Sequence, residues 1–242
     1  MTDNASEKSP QVYARIAGVL GVIIVIAGIF AEAFVRGKVI VSTDATATAN
    51  NILASEQLFR LGFAGELFML CCDVGIAVLL YVLLKPVSRT LALLAMAFRL
   101  VMAAISGVNA LNHFGALLVL GGADYLTVFG AEQLHAMALL SLKLHTYGYH
   151  ISLVFFGFHV LLLGYLIFRS GYLPKIIGVL LVIASFGYLT NSFASILYPT
   201  FAKSLFPWVL LPALIAETSL SLWLLVMGVN VSRWRARQAL PA

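Results

Sequence analysis

The chain has 242 residues, of which 62% are hydrophobic and only 10% are charged. This composition excludes a water-soluble globule of this size, because too few polar side chains remain to cover its surface, and it predicts a protein that spans the lipid bilayer. The formal charge of +5 is typical of the basic cytoplasmic loops of membrane proteins, so we predict no nucleic-acid partner.

The chain begins with a polar stretch over residues 1–11, for which we predict a disordered cytoplasmic N-terminus. The small residues near Ala31, in the apolar run that follows, also fit the cleavage site of a signal peptide. The run is longer than the apolar region of a cleaved signal, however, and Arg15 stands where a cytoplasmic anchor charge belongs. We therefore predict an uncleaved first helix over residues 12–35.

The link after this helix is polar, and Asp44 in it is a candidate N-cap, which predicts a short helix along the membrane surface. The stretch 123–144 is apolar but is interrupted by Asp124, Glu132 and Lys143. These charges favour an amphipathic interfacial or re-entrant helix over a full span. The remaining apolar runs predict five more membrane-spanning helices, over 58–84, 88–118, 147–168, 174–197 and 208–231.

Six spans place both termini on one side of the membrane. Nine basic residues fall on that side and four in the opposite loops, which predicts that both termini face the cytoplasm at the plasma membrane. The fold class is thus an all-α, polytopic transmembrane bundle of six helices with short interfacial helices. We divide the chain into an N-terminus (1–11), a six-helix transmembrane domain (12–231) and a basic cytoplasmic tail (232–242).

Three polar side chains fall near the middle of the predicted spans. At 1.5 Å per residue, Asp73, Arg99 and His159 lie about 15–18 Å from the cytoplasmic ends of their helices, in a hydrocarbon core about 30 Å thick. Because an unpaired charge at this depth is costly, we predict a structural ion pair between Asp73 and Arg99. The functional alternative is that one of the two binds a substrate or relays a proton.

A second polar layer is predicted nearer the outer end of the bundle. Glu66 is seven residues from Asp73 and shares its helix face. Arg60 is the one cation that we place near Glu66 and Glu217, so we predict that one of these acids is protonated or lines a wet cavity. The candidate ligand-binding residues are Glu66, Glu217, Arg60, Glu32, Asn109, Asn191 and His159.

Motifs of established chemistry are missing from the sequence. It contains no H-E-x-x-H, C-x-x-C, glycine-rich phosphate loop or G-x-S-x-G. His159 has no second ligand at helical spacing, which favours a packing histidine over a metal or haem ligand. We therefore predict no metal site, no cofactor and no catalytic residue.

Several stretches in a fixed order carry a family resemblance: ARIAGVL, TANNILASEQLFRLG, LYVLLKPVSRTLALLAMAFRL, FFGFHVLLLGYLIFRSGYLPKIIGVLL and LWLLVMGVN. Over residues 15–229 the chain resembles the bacterial membrane proteins catalogued as domain of unknown function 4386. The resemblance implies a six-helix membrane domain with no assigned activity, and it supplies no catalytic residues.

Three functions are compatible with these features. The leading hypothesis is binding or transfer of a small ligand, either a lipid or another small molecule, in an outward-facing polar pocket of the bundle. The alternative is a structural or partner-binding membrane scaffold whose buried charges only orient helices. A second alternative is an intramembrane enzyme that uses His159 and Glu217 as acid and base. The identity of the ligand and the oligomeric state are left open.

Overall fold

The computed structural model describes residues 9–239, a range without strands in which helices are joined by short turns. Six of the described helices are long and apolar enough to cross a membrane. The chain is therefore an all-α multi-pass membrane protein, and the prediction of six spans is confirmed. The helices are α1 (Pro10–Val39), α2 (Ala45–Ala54), α3 (Glu56–Leu84), α4 (Arg89–Leu120), α5 (Ala131–Ser170), α6 (Lys175–Leu197), α7 (Pro199–Leu205), α8 (Trp208–Val226) and α9 (Val231–Gln238).

Local capping sets several of these boundaries. Asp44 caps α2, because its side chain accepts a hydrogen bond from the backbone N–H of Ala47 at 2.8 Å, so the predicted short helix is confirmed. Ser9 precedes Pro10 at the start of α1, two residues before the predicted start. Most of the predicted disordered N-terminus (1–8) and the end of the predicted tail (240–242) lie outside the described residues.

The prediction of a separate interfacial or re-entrant helix over 123–144 is wrong. Most of this segment is the first half of α5, which continues without a break for 40 residues to Ser170. Glu132 and Lys143 do not interrupt the helix, because both lie on its exposed face while Ala138 and Leu142 are buried. At about 60 Å, α5 is twice as long as the hydrocarbon core is thick.

The last predicted span is also shorter than expected. It ends at Val226 rather than residue 231, and Gly228 then takes a positive φ of 69° that turns the chain into α9. This end of the bundle is tied together by hydrogen bonds to the Leu83 carbonyl, donated by the Trp234 indole (2.9 Å) and the Tyr172 hydroxyl (2.7 Å). Burial raises the pKa of Tyr172, which keeps this hydroxyl protonated as a donor.

The bundle is organised around α5, which packs along both α4 and α6, while α1 lies between α3 and α8. Glycine allows α5 and α6 to pack closely, since a Cβ on Gly164 would lie 2.7 Å from the Gly178 carbonyl oxygen. The buried apolar side chains of the bundle form two clusters. The larger joins the halves of the spans that lie toward the two termini, and the smaller joins α2 to the opposite ends of α1, α3, α4 and α5. Polar side chains of α3, α4 and α5 lie between them.

Candidate metal centre

Glu66 on α3, His113 on α4 and His145 on α5 meet in one buried cluster. The carboxylate lies 3.2 Å from Nδ1 of His113 and 2.9 Å from Nε2 of His145. The three residues are 6%, 3% and 3% exposed, and one donor atom from each lies within 4.8 Å of the other two. Three consecutive spans therefore contribute one metal-ligating side chain each.

Asn109 fixes the position of His145. Its Nδ2 donates to the backbone carbonyl of His145 at 2.8 Å, and its Oδ1 accepts a hydrogen bond from Asn112 at 3.1 Å. Gly148, one turn along α5, leaves room for the Asn109 amide, because a Cβ at that position would collide with it. The register between α4 and α5 is thus set next to the cluster by a buried amide.

His113 is held by aromatic side chains of α3. Its ring lies edge-on to Phe59, with 4.4 Å between centroids, and near Phe63 at 5.9 Å. Nδ1 faces Glu66, whereas Nε2 is buried and has no hydrogen-bond partner among the described residues. A buried polar nitrogen without a partner is uncommon in folded proteins, and this ring nitrogen is not satisfied by the described residues.

Arg36 is the one arginine or lysine within 4.0 Å of Glu66 among the described residues, with its Nη2 at that distance from Oε2. It ends the π-helical turn Phe30–Arg36 of α1, and its Nη1 also pairs with Glu32 at 3.4 Å. The guanidinium lies 5.8 Å from the centroid of the Tyr149 ring. The cluster therefore combines one buried carboxylate, two imidazoles and one nearby cation.

Two imidazoles and one carboxylate form a donor set that suits first-row transition metals, whereas Mg²⁺ and Ca²⁺ prefer sites built from oxygen alone. Three protein ligands also leave at least one coordination position open, unlike the closed four-ligand sites of structural zinc. The sequence analysis did not identify this set, because Glu66 is 47 residues from His113 and 79 from His145.

The other candidate residues of the predicted outer layer have different surroundings. Glu32 is exposed and reaches the cluster only through Arg36. Arg60, the one cation that we placed near Glu66 and Glu217, pairs with Glu56 at 2.7 Å on the exposed face of α3. Asn191 is buried on α6. Of the predicted ligand residues, the structure brings Glu66 and Asn109 together at this site.

Asp73, Arg99 and His159 lie together one level deeper. Arg99 donates to Oδ1 of Asp73 from Nε (3.0 Å) and Nη2 (2.5 Å), and its Nη1 lies 3.1 Å from Nε2 of His159. Nδ1 of His159 is 2.8 Å from the Ala95 carbonyl. This carbonyl can only accept, so Nδ1 carries the proton and Nε2 accepts from Arg99. Both nitrogens of His159 are engaged, which leaves neither free for acid–base chemistry.

Glu217 lies at this deeper level and not with Glu66. It is about 14 Å from the end of α8 at Val226, because that helix ends earlier than predicted. It accepts a hydrogen bond from the Tyr188 hydroxyl of α6. Together with Arg99 and His159 it lines a cavity of about 30 Å³.

Comparison with known proteins finds a related sequence and a family profile. An uncharacterized protein of Archaeoglobus fulgidus is 33% identical to the chain over 132 residues, which cover 52% of this chain and 62% of that protein. No solved structure matches the chain. The profile of the family described as "Domain of unknown function (DUF4386)" matches residues 16–228. The resemblance noted in the sequence is thereby confirmed, and the chain belongs to the DUF4386 family.

Proposed function

We propose that this protein binds a divalent transition-metal ion in the membrane through Glu66, His113 and His145. The observation that carries the proposal is the convergence of these three buried side chains, with donor atoms within 4.8 Å of one another. The small ligand expected from the sequence would then be an ion, with Zn²⁺ the reference case because imidazole and carboxylate groups are among its usual protein ligands. The open coordination position would hold water or a second ligand.

The depth of the cluster supports access from the outer side. Glu66 lies 18 residues from Leu84, or about 27 Å along α3, close to the far boundary of a core about 30 Å thick. The excess of basic residues at the end that holds both termini supports a cytoplasmic location for those termini. In the plasma membrane, Glu66 would therefore lie near the outer surface, as an outward-facing site requires.

Binding of Zn²⁺ to the purified wild-type protein tests the proposal. After treatment with a chelator and its removal, we expect calorimetric titration to show one saturable Zn²⁺ site per chain, and elemental analysis to show one retained zinc after desalting. Co²⁺ in the same site would give visible ligand-field absorption. The absence of a saturable site for both ions would refute the proposal.

Replacing Arg36 by glutamine is expected to tighten Zn²⁺ binding. The guanidinium is 4.0 Å from the Glu66 carboxylate, so it competes with a metal cation for the same negative charge. Unit charges at this separation interact by about 4 kcal/mol at an effective dielectric constant of 20. We expect at least about a tenfold lower Kd, the equivalent of 1.4 kcal/mol.

Arg60→Gln is the matched control for this experiment, since it removes the same charge from a side chain that pairs with Glu56 and not with Glu66. Its Kd for Zn²⁺ should equal that of the wild type. An unchanged or higher Kd in Arg36→Gln would show that Arg36 does not compete with the ion.

A further inference from the structure

Glu217 differs from the other buried acids in having no basic partner. Asp73 pairs with Arg99, and Glu66 faces two histidines and Arg36. Among the described residues, no arginine, lysine or histidine nitrogen lies within 4.0 Å of the Glu217 carboxylate, whose recorded partner is the Tyr188 hydroxyl. An ionised carboxylate without a cation is strongly disfavoured in the apolar middle of a membrane.

Arg99 lines the same cavity, but it does not form an ion pair with Glu217. Its guanidinium is already used by Asp73 on one side and His159 on the other. The remaining ionisable neighbours do not supply a positive charge either, because α3 contributes Asp73, α5 contributes His159 and Tyr149, and α6 contributes Tyr188. The cavity residues of α1 are Gly21, Ile24 and Val25, none of which ionises.

The cavity beside Glu217 has the size and lining that water requires. Its volume of about 30 Å³ accommodates about two water molecules, since one needs about 10–15 Å³ and two to four polar partners. The guanidinium of Arg99, the carboxyl group of Glu217 and the hydroxyl of Ser221 offer such partners along its wall. Most of the other lining residues are apolar, and they include Ile76, Leu80 and Leu163.

We infer that Glu217 is a proton-binding site in the middle of the membrane, held as a neutral carboxylic acid that exchanges its proton with water in this cavity. Tyr188 donates to Oε1, which leaves Oε2 to carry the proton. On release the O–H bond of the carboxyl group breaks, the electron pair stays on the carboxylate, and the proton passes to cavity water. A metal cation is disfavoured here, because a single carboxylate supplies too few ligands, whereas a proton needs only one oxygen.

Infrared spectroscopy of the purified wild-type protein tests this inference without any metal ion. A neutral carboxylic acid has a C=O stretch that is separate from the amide and carboxylate bands. We expect this band at neutral pH, with a shift to lower frequency in D₂O that shows exchange with water. We expect its loss in Glu217→Gln and its retention in the control Glu32→Gln, which alters an exposed acid paired with Arg36.

Tyr188→Phe provides a second readout if Glu217→Gln fails to fold. It keeps the carboxyl group but removes the hydrogen bond to Oε1, so the C=O band should move to higher frequency. The inference is overturned if the wild type lacks the band, if the band persists in Glu217→Gln, if Tyr188→Phe leaves its frequency unchanged, or if D₂O does not shift it. It stands independently of the metal proposal, because Glu217 and Tyr188 belong to α8 and α6.

Discussion

Replacing either His113 or His145 by alanine is expected to weaken Zn²⁺ binding by at least about 100-fold. Loss of an outer-shell partner of a metal ligand already costs 10–100-fold in affinity, and these variants would remove a ligand itself. Glu66→Gln should have a similar effect, since it removes the only carboxylate of the cluster and the charge that offsets a dication. Competition with a chelator of known affinity measures the loss for each variant.

His150→Ala is the closest control that the chain offers. His150 is on the same helix, five residues after His145, and is partly buried, but it is not part of the cluster. His135→Ala adds a control on the first half of α5, where the imidazole lies 3.2 Å from Thr46. Both variants should retain wild-type affinity. Equal losses of Zn²⁺ affinity in the control and ligand variants would show that zinc binds histidines nonspecifically and not at this cluster.

Arg99→Leu is expected to lower the free energy of unfolding by about 3–5 kcal/mol, the usual cost of removing one partner of a buried ion pair. The variant would leave Asp73, which is 4% exposed, as an uncompensated charge. Asp73→Asn should also destabilise the protein, because it leaves the Arg99 guanidinium without its anion. Equilibrium unfolding in detergent micelles measures both effects.

The double variant Asp73→Asn/Arg99→Leu should be more stable than either single variant, because it leaves no unpaired charge in the apolar interior. The matched cycle on Glu56 and Arg60 should give a coupling of only about 0.3–0.5 kcal/mol, as is usual for exposed pairs four residues apart on a helix. Strict additivity at Asp73 and Arg99 would contradict a structural role for the pair.

The two buried clusters share a simple architecture. Each takes one residue from α3, one from α4 and one from α5, and the spacing on each helix is a multiple of seven: Glu66 and Asp73, Arg99 and His113, His145 and His159. Residues seven apart lie on one face of a helix. The three helices therefore form a polar seam with two levels. We propose that the level of Asp73 serves helix packing and that the level of Glu66 serves ion binding.

The sequence predicts the six spans well because hydropathy identifies apolar helices directly. The two wrong predictions concern the start of α5 and the end of α8, where the same local sequence pattern is compatible with two structures. Glu132 and Lys143 indicated a break, yet charges on one face of a helix that extends past the bilayer need no compensation. The end of α8 was misplaced because Val229 and Val231 are apolar, while the turn depends on the backbone of Gly228.

The sequence analysis predicted no metal site, and of the candidate metal centre only Glu66 was among its candidate site residues. Glu66 stood out as a charge inside an apolar run, and its face on α3 followed from its spacing to Asp73. His113 and His145 lie on different helices, so their approach to Glu66 depends on how α4 and α5 pack, which Asn109 and Gly148 determine. The signal that could have found them is the spacing of polar residues by seven or fourteen positions on all three helices, considered together.

X-ray absorption at the zinc edge of the zinc-loaded wild-type protein tests the central claim most directly. The proposal predicts a first shell of two imidazole nitrogens at about 2.0–2.1 Å and carboxylate or water oxygens at about 2.0–2.2 Å. In His145→Ala one imidazole should disappear from this shell. A wild-type shell that contains sulfur or no imidazole would contradict binding by Glu66, His113 and His145.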